Sequence, residues 1–152
     1  MVDYRLFRDI VTQLAHGHGD AGRDLLTRIP DDQVHAYHTF VTGAYSVLTA
    51  TYFAQDSGPE ALRRFVDGMR HDYRRADPPL KTLVVEGLLR AFYGEDHLID
   101  EIDPMDQLRH QLMAIRKMVF EDEALAADLD GHLAQAESLT RQWLAALGDE
   151  AG

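Results

Sequence analysis

Hydrophobic positions recur along this chain in steps of three and four, the spacing that places side chains on one face of an α-helix. Leu6, Phe7, Ile10, Val11 and Leu14 form the first stripe, with Asp3 placed to cap it and Gly17-His18-Gly19 to end it. A short second stripe of Leu25, Leu26 and Ile29 follows Asp20 and closes at Pro30. Further along, Leu62, Phe65, Val66, Met69 and Tyr73 repeat the spacing behind Pro59 and Glu60, which suit a first helical turn. Asp77-Pro78-Pro79 breaks the chain and begins a helix carrying Leu80, Leu83, Val84, Leu88 and Phe92 to Gly94. Asp103-Pro104 opens one with Met105, Leu108, Leu112, Ile115 and Val119. The last carries Leu125, Leu129, Leu133, Leu139, Trp143 and Leu147, with Gly148 as its expected end.

One stretch differs from all of these. Val34–Gln55, VHAYHTFVTGAYSVLTATYFAQ, contains no Asp, Glu, Lys or Arg, although those residues make up 27% of the protein. Its Thr, Val and Tyr would also suit a strand, and Thr42-Gly43 a hairpin turn. No clean apolar/polar alternation runs through Ala44–Phe53, however, and the neighbouring segments read as helices. The pattern predicts an all-α, single-domain bundle of six or seven helices over residues 1–152, built around a central uncharged helix at about 31–55.

On a helical wheel Ala36, Phe40, Gly43, Val47, Ala50 and Ala54 share one side of that helix. His35, His38, Thr42, Tyr45, Ser46, Thr49 and Tyr52 lie opposite, giving a face that is polar yet uncharged. An ordinary solvent face would carry Glu, Lys and Arg, so this one is expected to be covered, with its hydroxyls and imidazoles hydrogen-bonded. Three arrangements would cover it: a central helix inside its own bundle, a homodimer seam, or a ligand pocket. The candidate ligand-binding or interface residues are therefore His35, His38, Thr42, Tyr45, Thr49 and Tyr52.

Composition narrows the classes. With 152 residues and 45% apolar content the chain is long enough for one well-buried core. The absence of cysteine excludes disulfides, thiolate metal sites and cysteine nucleophiles, and fits a cytoplasmic protein. MVDYRLFRDI has neither a basic n-region nor a clean apolar core, so no signal peptide is expected. Val34–Gln55 is long enough to cross a bilayer, but its His, Thr and Ser content and its acidic flanks argue against a span. A net charge of −11 argues against nucleic acid as a partner and favours basic ones.

The chemical motifs are sparse. His35 and His38 share a helix face with Asp31 or Asp32 one turn earlier, yet helical metal sites draw ligands from two or more helices. His71-Asp72 has the form of the dyad in metal-dependent phosphohydrolases, but within RHDYRR it reads as a solvated helix face. Residues 126–137, AADLDGHLAQAE, resemble a calcium-binding EF-hand loop through Asp128, Asp130, Gly131, Leu133 and Glu137. Ala126 and Ala134 stand where that loop needs ligands, so the segment is expected to be helical, with a kink at Gly131. No cofactor or metal is expected, and no catalytic residue stands out: there is no phosphate loop, no nucleophile elbow and no spaced Ser/His/Asp set.

Charge is unevenly distributed. Glu95, Asp96, Asp100, Glu101, Asp103 and Asp106 occur together without a Lys or Arg, whereas the helix at 60–75 carries Arg63, Arg64, Arg70, Arg74 and Arg75. Solvated faces, or pairing of the two within the domain, would account for both. The leading functional expectation is a non-enzymatic interaction or regulatory protein, homodimeric through its uncharged face. Alternatives are a small-molecule-binding domain or enzyme with a His/Thr/Tyr-lined pocket, and an acidic inhibitor or immunity-type protein whose 95–106 segment binds a basic partner.

Overall fold

A computed structural model describes residues 1–151, with side chains through Gly148. All regular structure in this region is helical: α1 (Tyr4–Ala15), α2 (Gly19–Leu26), α3 (Val34–Tyr52), α4 (Pro59–Asp72), α5 (Thr82–Phe92), α6 (Pro104–Glu121), α7 (Glu123–Ala127) and α8 (Leu129–Ala151). Short 3₁₀ turns occupy Asp31–Gln33 and Asp96–Glu101. No described helix is long and apolar enough to cross a membrane.

Asp3 and Asp103 cap their helices as expected, whereas Asp20 lies inside the first turn of α2, whose N-cap is His18. The Asp3 carboxylate accepts the Leu6 amide, and Asp103 accepts Met105 N–H, satisfying donors that have no partner inside their helices. Asp122 caps α7 in the same way through Leu125. This extra start splits the expected last helix in two, with Asp128 as the break. Gly131 sits just inside α8, and Gly148 lies within α8 rather than ending it. The helix expected from Pro78 begins only at Thr82. Three residues of α6 hold the intervening backbone: Arg109 donates to the Pro78 and Pro79 carbonyls, His110 accepts the Lys81 amide, and Asp106 pairs with the Lys81 ammonium.

Helix α3 is the centre of the bundle, packed against α8, α6 and α1. It runs parallel to α6, since Thr42 meets Gln111 and Tyr52 meets Glu121, both 69 residues apart. Its buried positions include Ala36, Tyr37, Phe40, Val41, Ala44, Tyr45, Leu48 and Thr49. They spread around much of the helix, so the expected two-sided wheel gives way to burial on several sides, while Ala50 and Ala54 are exposed. An uncharged sequence fits this position, because a Lys or Glu here would need a buried partner.

The closest helix crossing is at Gly43. A Cβ there would stand 3.2 Å from the Ala136 carbonyl oxygen and 3.4 Å from Thr140 Oγ1 on α8. Thr140 is fully buried and donates its hydroxyl to Ala136 O at 2.7 Å, which places its small side chain at the crossing. Gly43→Val is expected to force α3 and α8 apart and to cost about 1–3 kcal/mol. Denaturant unfolding checks this; stability equal to the parent's would mean that the crossing has slack.

Candidate functional site

The predicted face of α3 divides into three parts. Tyr45 and Thr49 point into the core, where they are 3% and 0% exposed. Burial pushes the Tyr45 phenol above its ordinary pKa. Thr49 Oγ1 is buried without a hydrogen-bond partner among the described residues. Tyr52 lies at the C-terminal end of the helix and donates its hydroxyl to Glu121 at 2.7 Å. His35, His38 and Thr42, near the N-terminal end, open onto the surface.

These three residues line a groove of about 350 Å³ whose other walls are Thr39, Pro104, Gln107, Leu108, Gln111 and Trp143. The parallel run of α3 and α6 forms two sides, and the antiparallel α8 brings Trp143 to the third. Among the described residues, no Asp, Glu, Lys or Arg lines it. Gln107 is held in place by donating to the Ile99 and Ile102 carbonyls, and Thr42 donates to Gln111 Oε1 at 3.4 Å. Burial, and then the charge of neighbouring His35, lowers the pKa of His38, so its imidazole is neutral at neutral pH.

Exposed apolar side chains gather around this groove. Trp143 is 37% exposed, Val34 44%, Leu147 49% and Met105 62%. Val34 lies one turn before His38, Met105 one turn before Leu108, and Leu147 one turn beyond Trp143. Three helices thus contribute to one apolar rim around uncharged polar groups.

Trp143 was expected in the core, and the sequence held the sign that it is elsewhere. Leu125, Leu129 and Leu133 advance by four, but the next leucine, Leu139, is six further on, which rotates the following stripe to another face. The buried stripe continues instead through Ala136 and Thr140.

Among the described residues, two buried basic side chains, Lys117 and His110, lie outside the groove. Lys117, 7% exposed, places its ammonium 2.6 Å from both Asp72 and Glu121 and 5.8 Å above the Phe65 ring. Burial pulls its pKa down, but the two carboxylates together outweigh that and hold it above the ordinary lysine value. Such a lysine stays protonated and is no nucleophile. Gly68 makes room for it, since a Cβ there would lie 2.8 Å from Lys117 Nζ.

His110 is fully buried between α6 and the start of α5. Its Nε2 accepts the Lys81 amide at 3.0 Å, so Nδ1 carries the proton and donates to the Asp106 carbonyl at 2.8 Å. Both nitrogens belong to a structural clamp rather than to a free acid–base site.

The remaining motifs resolve locally. Residues 126–137 form the end of α7, the Asp128 break and the first half of α8, not an open ligand loop. No group of three or more His, Asp or Glu among the described residues could hold a metal ion. Of the acidic segment, Glu95 pairs with Arg90, Asp106 with Lys81, and Asp103 caps α6, leaving Asp96, Asp100 and Glu101 to solvent. On α4, Arg70 pairs with Asp67 and Arg64 reaches Asp56 and Glu60, so these two arginines use local acids rather than those at 95–106, while Arg63 pairs with no carboxylate among the described residues.

No family model, curated protein or solved structure matches this chain.

The His110 clamp gives stability a pH dependence of known sign. Burial, the largest influence, lowers the folded-state pKa, so the unfolded chain takes up the proton first as pH falls. The contribution is present in full above about 6.5, the ordinary histidine value, and is lost as pH falls below it. Unfolding free energy measured at about pH 7.5 and about pH 5.5 should decrease between the two, and His110→Gln should flatten that decrease. An unchanged slope in the variant would assign the effect to other groups.

Proposed function

We propose that this protein is a non-enzymatic helical interaction protein that works as a homodimer. Its seam is the charge-free face around His35, His38, Thr42, Leu108 and Trp143. The observation that carries this reading is the lining of the groove: among the described residues of three converging helices it has no charged side chain, in a protein of net charge −11. Two such copies repel over most of their surfaces, and they can approach most closely where neither presents an acid. The groove has that property, and the apolar rim of Val34, Met105, Trp143 and Leu147 supplies surface whose burial favours association. Trp143 is the natural anchor, because a half-exposed indole loses much unfavourable hydration when a partner covers it.

The ligand-pocket alternative has less support, since Tyr45 lies inside the core and leaves the groove open and shallow. The basic-partner alternative is weakened by the internal use of Glu95, Asp103 and Asp106.

Sedimentation of the purified protein at neutral pH should give a dimer. Trp143→Glu should give a monomer with unchanged helicity, because that side chain lies at the surface. Tyr45→Glu should instead unfold the protein, since the charge would be forced into the core. A wild-type monomer, or a dimer that survives Trp143→Glu, would overturn this assignment.

A further inference from the structure

A separate groove of about 710 Å³ lies between α4 and α5. The two helices run antiparallel, so the groove is lined by both the start of α4 and the end of α5, where the Tyr93 ring packs 6.3 Å from that of Phe53 at the end of α3. The floor is apolar, formed by Pro59, Leu62, Val66, Leu89 and the Tyr93 ring. Its size falls within the roughly 300–1,000 Å³ of small-molecule sites.

The polar groups at its edge are not balanced in their hydrogen bonding. Every carboxylate that lines it is already engaged: Glu86 and Glu95 hold Arg90, and Asp67 holds Arg70 at 3.5 Å. The donors are not. Among the described residues, the Arg63 guanidinium has no carboxylate partner, and the hydroxyls of Ser57 and Tyr93 make no side-chain hydrogen bond. Ser57 and Arg63 flank the start of α4, and Tyr93 closes α5 beside them. One end of an apolar groove therefore offers a free cation and two free hydroxyl donors, with the local acids neutralised by other arginines.

We propose that the α4–α5 groove binds a small organic carboxylate. Its anionic group would rest on Arg63, Ser57 and Tyr93, and its apolar body over Leu62, Val66 and Leu89. A carboxylate accepts from a guanidinium in a forked pair and from hydroxyls at the same time, which matches this donor set. An amine would meet Arg63 with like charge, and a neutral apolar compound would leave the donors unpaired.

Phenylacetate serves as the probe, with phenethylamine as the cation of similar shape. Amide resonances of the full chain are followed in heteronuclear NMR during titration with each. Phenylacetate is expected to give saturable shifts at Leu62, Val66, Leu89 and Tyr93 while leaving His35 and His38 unmoved. Phenethylamine should bind at least about tenfold more weakly, as should phenylacetate to Arg63→Ala. Arg63 is exposed, so that variant is expected to unfold at the parent's temperature, which separates loss of binding from loss of fold. Equal affinity for the amine, undiminished binding by Arg63→Ala, shifts centred elsewhere, or no shift at the solubility limit would each overturn the proposal.

Discussion

At position 43 the backbone of α3 and the Ala136–Thr140 turn of α8 approach so closely that even a Cβ there would stand 3.2 Å from the Ala136 carbonyl oxygen. That approach sets where α8 lies, and much of the molecule follows from it. With α8 seated, Leu129, Leu133 and Ala136 close over the middle of α3, and Trp143 arrives beside His38 rather than beneath it. The first helix is caught in the same closure: Arg141 stacks 4.4 Å over the Tyr4 ring, and Arg8 lies near Glu137. A larger residue at the crossing would disturb these contacts together, because close-packed helices transmit displacement instead of absorbing it.

The helical class and the central place of Val34–Tyr52 were legible in the sequence, whereas the expected six or seven helices became eight α-helices among the described residues, because α7 separates from α8. Stripes spaced at three and four, aspartates ahead of them and a run without charge are each local signals. Less legible was the division of the α3 face. One stretch of similar polar residues supplies Thr49 to the core, Tyr52 to a carboxylate on α6 and His38 to an open groove. The difference is made by which helices pass beside each turn, and a helical wheel of α3 alone contains no record of them. The late start of α5 has the same origin. Pro79–Lys81 could have formed the first turn of α5 as far as its own composition goes, but Arg109 and His110, some thirty residues away, take its backbone groups first.

Charge is arranged with similar economy. Several arginines, Arg23, Arg28, Arg70 and Arg141 among them, find an acid within one turn along the chain. Lys117 is the exception that reaches inward. It joins α4 to α6 by holding Asp72 and Glu121, and Glu121 receives the Tyr52 hydroxyl from α3. A single protonated amine thereby connects three helices at the end of the bundle opposite the charge-free groove.

The distance along the chain between Gly43 and the residues that cover it also bears on how the protein is made. Helix α3 leaves the ribosome about ninety residues before the Ala136 turn, an interval of several seconds at about 5–20 residues per second. Until α6 and then α8 are synthesised, the least charged segment of the protein lacks the two helices it packs against most. The nascent chain must keep a tyrosine- and valine-rich helix from other molecules until the last helix arrives, and the acids at Asp31, Asp32 and Asp56 on either side of it provide that protection by repulsion.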